Sequence, residues 1–229
     1  MIVCHHLAMG GTEKTIVNLS NYLCKKNTLT MAKITKKNEV IQSFCEPEEK
    51  VCQIKITHNS TITSYVSLLF KLRKAIKERK IDVIITFLTV PSVLTLLSSI
   101  FSGITIIVCE RTNPKNTPNL AMHWKILRYL TYKNLVRILV LQNKEISDAF
   151  TYVDNKFKLI IPNAGSSPSM NSNSYIPEKN MTNHGLKLLF VGRLEYQKGI
   201  DILLDALTLL KAEITNIEIS LTILGDGVL

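Results

Sequence analysis

Short apolar runs alternate along the chain with stretches in which apolar residues recur every three or four positions. The runs are "MIVCHH", "LTMAKI", "VCQIKI", "IDVIITF", "ITIIVCE", "RILVLQ" and "FKLIIP". Between them the spacing predicts a helix from about Thr12, with Ile16, Leu19 and Leu23 on one face, and another from Ile62 to Glu78. Strands apolar throughout are buried on both faces, and their alternation with helices predicts a parallel sheet covered by helices, an α/β fold. The uncharged segment from Val83 to Val108 has the length of a bilayer span. Pro91 and Gly103 interrupt it, however, and its ends are β-branched, so it reads as strand, helix, strand.

From Gly165 to Gly185 the pattern lapses into "GSSPSMNSNSYIPEKNMTNHG", the composition of a linker. A second α/β unit follows: the strand "LKLLFVG", a helix with Ile200, Leu203, Leu204, Leu207 and Leu210 on one face, and the strand "ISLTILG". The expected organisation is an N-terminal Rossmann-like domain over residues 1–164, a linker over 165–185, and the start of a second Rossmann-like domain over 186–229. One βαβ unit cannot bury both faces of its sheet, so the sequence predicts a complete first domain and an incomplete, truncated second one. In such sheets ligands bind beyond the carboxyl ends of the strands, and the loops there are where chemistry is expected.

Composition narrows the function classes. The chain has 229 residues, 46% of them hydrophobic, enough for a sizeable core. Its five cysteines form no CxxC pair and have no histidines at zinc-ligand spacing, which disfavours a disulfide framework or a metal site and suits reduced thiols in a cytoplasm. The N-terminus lacks a basic region and a signal-cleavage site. With 28 Lys and Arg against 18 Asp and Glu, the net charge of +10 favours anionic partners. Basic residues cluster in "KLRKAIKERK" and from Lys115 to Lys144, where six occur without an acid. In the second cluster Leu120, Trp124, Leu127, Thr131 and Leu135 recur at helical spacing. Two readings stand side by side: a basic amphipathic helix lying on an anionic membrane, or a solvated helix whose apolar stripe packs on the sheet. No recognition-helix motif or aromatic-interleaved basic strand supports nucleic-acid binding.

Two loops are candidates for chemistry. In "AMGGTEK", Gly10 and Gly11 follow the first strand, with Thr12 as a candidate N-cap. They either admit an anion to the helix start or simply make a tight turn. In "LLFVGRLEYQKGIDILLDALTLL", Gly192 ends a buried strand and Arg193 and Lys198 share the connection to a helix whose first turn contains Asp201. Two cations facing a helix N-terminus repel each other and the dipole unless an anion lies between them, and a pyrophosphate suits the place. Alternatively both cations simply extend into water.

These segments, with "CERTNP", "IIPNAG" and "LTILGDGVL", come in the order and approximate spacing of the family 4 glycosyltransferases, and the chain resembles those retaining, nucleotide-sugar-dependent GT-B enzymes over nearly its whole length. The resemblance implies transfer of a sugar from a nucleotide-diphosphate donor to a glycan or lipid-linked acceptor, in surface polysaccharide assembly. Arg193 and Lys198 look like the catalytic pair that stabilises the departing diphosphate. Gly10, Gly11, Gly192, Gly225, Asp226 and Gly227 resemble donor-binding positions, and Glu110, Arg111 and Asn163 resemble acceptor or cleft residues. Arg111 also suits a structural ion pair, and Asn163 a turn. No cofactor or metal is implied; an anionic membrane surface is a further expected partner, on the inner face, and nucleic acid is not one.

The chain also departs from the pattern. It has Pro162, Asn163, Ala164, Gly165 where the family usually has Pro-Asn-Gly. "ITFLTVPSV" lacks the histidine often found there, so no general base is identified; His5 and His6 lie too early. The family's acidic Glu-x7-Glu motif would fall beyond Leu229. A remnant or binding module keeping only the acceptor-side domain is therefore the alternative to an enzyme.

Overall fold

The computed structural model describes residues 1–5, 10–36, 51–58, 62–115, 117, 120–163, 185–213 and 218–227. The chain divides into two compact units, Met1–Ser166 and Ser167–Leu229. Most of the expected linker, together with Cys45, His6 and Ala164, lies outside the described residues.

The first unit is built on seven parallel strands: β1 (Ile2–Cys4), β2 (Thr30–Lys36), β3 (Cys52–His58), β4 (Val83–Phe87), β5 (Thr105–Cys109), β6 (Ile138–Leu141) and β7 (Lys158–Ile160). Their order is β3-β2-β1-β4-β5-β6-β7. The chain winds outward from β1 to β3, then returns to the centre at β4 and winds the other way, so the topological switch falls between β1 and β4. Right-handed crossovers put α1 (Gly11–Leu23) on one face of the sheet. On the other lie α2 (Ile62–Glu78), α3 (Thr89–Ser98), α4 (Met122–Leu135) and α5 (Lys144–Ala149). One core cluster joins Ile16 and Val17 of α1 to Ile2, Cys4, Met31, Phe87 and Cys109; the larger one joins α2 to α5 to Val3, Ile34, Ile84, Val108 and Leu139.

The segment from Val83 to Val108 forms β4, α3 and β5, as its punctuation predicts. α3 has no charged residue and is almost wholly buried, packed between α2 and α4. Of its hydroxyls, that of Ser92 donates to the Leu88 carbonyl at 2.7 Å and that of Ser98 to the Thr95 carbonyl at 3.0 Å, while that of Thr95 is buried without a hydrogen-bond partner among the described residues.

Two local expectations are corrected, for α1 and for the second unit's helix, and the two readings of α4 are resolved in favour of packing on the sheet. Gly10, not Thr12, is the N-cap of α1, in extended backbone (φ −175°). The α4 stripe of Leu120, Trp124, Leu127, Thr131 and Leu135 faces the core, with Trp124 and Thr131 buried and the three leucines packed against the main cluster. In the second unit Leu204 is exposed while Ile200 is buried and Leu203, Leu207 and Leu210 are partly buried.

That unit comprises β8 (Leu186–Val191), a 3-10 turn (Tyr196–Lys198), α6 (Ile200–Glu213) and β9 (Ile219–Leu224). β8 and β9 pair in parallel from Leu186 opposite Ile219 to Val191 opposite Leu224. One face of this pair carries the half-buried Leu188, Phe190 and Leu221; on the other Leu189, Val191 and Leu224 are exposed.

Candidate functional site

In the second unit the loops leaving β8 and β9 run side by side. The Gly192 amide donates to the Leu224 carbonyl at 3.1 Å, the Leu194 amide to that of Asp226 at 2.9 Å, and Leu194 bridges Gly227 in parallel. This closeness needs glycine. A Cβ at Gly225 would collide with the Gly192 carbonyl oxygen, and one at Gly227 with that of Leu194. Gly192 itself has room, with Phe190 ring atoms at 3.7 Å and the Lys198 Cδ at 4.0 Å from an added Cβ. Asp226 accepts from the Gly227 amide at 2.8 Å, so it shapes its own loop.

Arg193 and Lys198 stand exposed on this connection. Arg193 forms an ion pair with Glu195 at 2.9 Å, a partner that sequence reasoning missed although the two residues are neighbours in the loop. Arg193 therefore has a carboxylate counter-ion of its own before any ligand arrives. Lys198 closes the 3-10 turn, its amide donating to the Glu195 carbonyl at 2.8 Å. Gly199 then takes a left-handed conformation (φ +63°) that turns the chain into α6. In the first turn of α6 the Asp201 Oδ1 is buried without a hydrogen-bond partner among the described residues.

In the first unit the expected residues lie past the carboxyl ends of three strands, Gly10 and Gly11 after β1, Glu110 and Arg111 after β5 and Asn163 after β7. Glu110 directly follows β5 and extends its pairing, donating its amide to the Val140 carbonyl at 3.0 Å. Its side chain is 1% exposed, and Oε1 accepts from Tyr132 at 2.7 Å and from Thr89 at 2.8 Å. Arg128 reaches the Thr89 hydroxyl at 3.4 Å and the Pro114 carbonyl at 3.1 Å, with its guanidinium over the Phe150 ring. Burial pushes the Glu110 carboxyl above its ordinary range, against the opposing hydrogen bonds from Tyr132 and Thr89 and the charge of Arg128. Burial also raises the Tyr132 phenol, helped by the Glu110 carboxylate. Glu110 thus lies beneath the surface of the edge rather than lining it.

Its neighbour Arg111 is half-buried, with its guanidinium 5.7 Å from the Phe87 ring centre, and burial lowers its pKa. Just before Thr89, Leu88 holds a left-handed φ of 69°, a strained conformation for a branched residue, at the end of β4. Asn163 is exposed past β7 and accepts from the Gln142 amide at 3.4 Å. Gly10 and Gly11 sit past β1. Their backbones do not require glycine, and among the described residues an added Cβ would meet only the flexible Glu13 carboxylate at Gly10 and nothing within 4 Å at Gly11. Gly11 therefore leaves open space at the start of α1.

Among the described residues no three His, Cys, Asp or Glu side chains gather as a metal site, and no helix is long and apolar enough to cross a membrane. Cys4, Cys24, Cys52 and Cys109 form no disulfide among the described residues. The buried Glu110 network was invisible in the sequence; its only trace was an acid directly after the buried run "ITIIVC".

The chain is 27% identical over 230 residues to the Campylobacter jejuni GalNAc-α-(1→4)-GalNAc-α-(1→3)-diNAcBac-PP-undecaprenol α-1,4-N-acetyl-D-galactosaminyltransferase, covering 96% of this chain and 59% of that protein. Among solved structures, it matches the lipopolysaccharide outer core galactosyltransferase WaaB in its apo form with a TM-score of 0.67 at 15% identity, over 99% of this chain and 61% of the other. Anabaena HepE in complex with UDP matches with a TM-score of 0.62 at 14% identity, over 99% and 60%. The chain therefore spans about three fifths of the length of the proteins it resembles. At these identities the structural likeness establishes the fold, which is the GT-B-like α/β architecture of glycosyltransferases. The loops carrying Arg193, Lys198, Gly225, Asp226 and Gly227 all fall within residues 173–229, the stretch that matches the family model of glycosyl transferases group 1.

Proposed function

We propose that this chain belongs to a glycosyltransferase that moves a sugar from a nucleotide-diphosphate donor to a glycan or lipid-linked acceptor, with retention of anomeric configuration. The observation that carries this reading is the pair Arg193 and Lys198 on one short connection, in the stretch that matches the group 1 family model. When the anomeric bond breaks, negative charge develops on the departing diphosphate. Two cations already positioned there stabilise the transition state more than the ground state. Glu195 holds Arg193 with one interaction and leaves the other guanidinium donors for a phosphate. In this reading side-chain cations do the neutralising and no metal is needed. Gly10 and Gly11 leave space for the donor, Gly192, Gly225, Asp226 and Gly227 form its cradle, and Arg111 and Asn163 serve the acceptor side. Glu110 supports them from below. The named relative's undecaprenol-linked substrate favours a lipid-linked acceptor and a role in surface polysaccharide assembly, at the cytoplasmic face of a membrane.

The test is release of nucleoside diphosphate from a panel of nucleotide sugars by the wild-type protein and by Arg193→Ala and Lys198→Ala. Each substitution should lower kcat by about 10²-fold or more while donor affinity changes far less. Undiminished turnover in both variants would refute the assignment.

A further inference from the structure

Gly10, Gly11, Glu110 and Arg111 lie past the carboxyl ends of strands of the first sheet; its amino edge carries a recess of its own. A cavity of about 530 Å³, the size of a small-molecule site, opens there between the connection from α1 to β2 and that from α2 to β4. Part of its lining is apolar: Leu29 is buried, and Leu23, Ile81 and Ile85 are half-buried. Thr28, Thr30, Arg79, Lys80 and Asp82 supply polar groups around it. A second recess of about 430 Å³ shares Thr28, Thr30 and Arg79 with it.

The charges of this cavity are unbalanced. Arg79 and Lys80 stand consecutively on it against one acid, Asp82. Glu78, which borders the second recess, pairs instead with Lys74 at 3.6 Å. Among the described residues Arg79 forms no ion pair; its Nη1 donates to the Cys52 Sγ at 2.8 Å, which leaves the rest of the guanidinium fork for a ligand. Lys80 holds a left-handed φ of 48° just past α2, where the Ile81 amide bonds back to the Ile76 carbonyl at 3.2 Å and its own amide to that of Lys77 at 3.2 Å. Glycine or asparagine usually fills such a position, so a lysine there adds charge to the cavity wall against the preference of the backbone. Past the C-terminus of α2 a cation also answers the helix dipole, but the dipole calls for neither the apolar lining nor the threonines.

We propose that this cavity binds a small organic phosphate, its anionic group between Arg79 and Lys80 and its apolar part against Leu23, Leu29, Ile81 and Ile85. Two consecutive cations suit the double charge that a phosphate monoester carries near neutral pH. The Asp82 carboxylate accepts from a hydroxyl or amino group of the same molecule and repels a bare polyanion. The site lies in the first unit alone, and the proposal does not depend on glycosyl transfer.

The test is saturation-transfer NMR of the 229-residue chain with phenyl phosphate, no sugar nucleotide being added, and with inorganic phosphate and benzyl alcohol as competitors. Phenyl phosphate is expected to bind with a dissociation constant of about 1 mM or below. Each competitor offers only one half of that molecule and should need an at least about tenfold higher concentration to displace it. Arg79→Gln should weaken binding at least about tenfold. Lys80→Gly removes a charge while suiting the left-handed backbone, and should weaken it about threefold. Arg193→Ala should leave it unchanged, which separates this site from the loop of the second unit, and circular dichroism should report native helix in every variant. Saturation should also slow alkylation of Cys52 by iodoacetamide, followed by peptide mass spectrometry, because the phosphate engages the guanidinium beside that thiol. The proposal is overturned if phenyl phosphate does not bind, or if inorganic phosphate displaces it at equal concentration, the mark of an adventitious ion only. It is likewise overturned if binding survives Arg79→Gln and Lys80→Gly undiminished, is abolished by Arg193→Ala, or leaves the alkylation of Cys52 unaltered.

Discussion

The Glu110 network makes a prediction whose sign follows from burial. The carboxyl is 1% exposed, and its pKa in the folded chain is raised above the ordinary 4.5, chiefly by desolvation. A group of this kind contributes stability that is fully present below pH 4.5 and lost as pH rises through its folded pKa. Glu110→Gln keeps an oxygen for Tyr132 and Thr89 but cannot ionise. The stability of the wild type relative to this variant should therefore fall with rising pH above 4.5, by at most about 1.4 kcal/mol per pH unit, and level off above the folded pKa. Removing a donor to the ionised carboxylate deepens the loss, so Tyr132→Phe should cost about 1.5–3 kcal/mol at the upper end of that range. Urea unfolding from pH 4 to 8, followed by the fluorescence of Trp124, reads this directly. Trp124 is the one tryptophan and is buried in α4, the helix that bears Tyr132. A difference between wild type and Glu110→Gln that is flat with pH, or that favours the wild type as pH rises, would mean that Arg128 and Tyr132 outweigh desolvation, and would refute the reasoning.

Packing supplies two further predictions. Gly225→Ala places a methyl against the Gly192 carbonyl oxygen and should destabilise the second unit by about 1–3 kcal/mol, whereas Gly192→Ala, whose nearest new neighbours are at 3.7 Å, should change little. Amide exchange at Phe190, Val191 and Leu224 distinguishes them, and equal protection in both variants would contradict the packing. Gly11→Ala meets nothing within 4 Å at the start of α1 and should stabilise the first unit by up to about 1 kcal/mol while weakening nucleotide-sugar binding; calorimetry showing unchanged donor affinity would remove Gly11 from the donor site.

The α/β alternation was legible because strands such as "VIITF" and "TIIVC" are apolar throughout, and α2 begins at Ile62 and ends at Glu78 as its spacing predicts. Helix α5 went unpredicted: at six residues it is too short to show a period, and it is marked only by Asn143, whose side chain accepts from the Ile146 amide at 2.8 Å. The inward face of α4 was ambiguous for a different reason. Apolar residues occupy both sides of that helix, so spacing alone identified the stripe that packs and missed the one that faces out. At the candidate site, the positions of Arg193 and Lys198 at the carboxyl end of β8 followed from chain order. The ion pair with Glu195, and the contact that demands Gly225 and Gly227, depend on which loops lie side by side, which no local pattern specifies.

An anion at either loop would meet the backbone N–H groups that local hydrogen bonding leaves over. Between β8 and α6 the amides of Gly192, Leu194, Glu195, Lys198 and Gly199 are all bonded to nearby carbonyls. At the start of α6, however, the Leu203 amide bonds back to Gly199 at 3.0 Å, and those of Ile200, Asp201 and Ile202 have no intrahelical acceptor. Beside them stand the guanidinium of Arg193 and the ammonium of Lys198. The start of α1 is alike: the amide of Lys14 bonds back to Gly10 at 3.1 Å, while those of Gly11, Thr12 and Glu13 have no intrahelical acceptor. Gly11 leaves that end unobstructed among the described residues. Both helix starts therefore offer an anion backbone dipoles, and the second unit adds two side-chain charges. Raising the salt concentration should therefore weaken an anion's hold on Arg193 and Lys198 more than its hold on the start of α1.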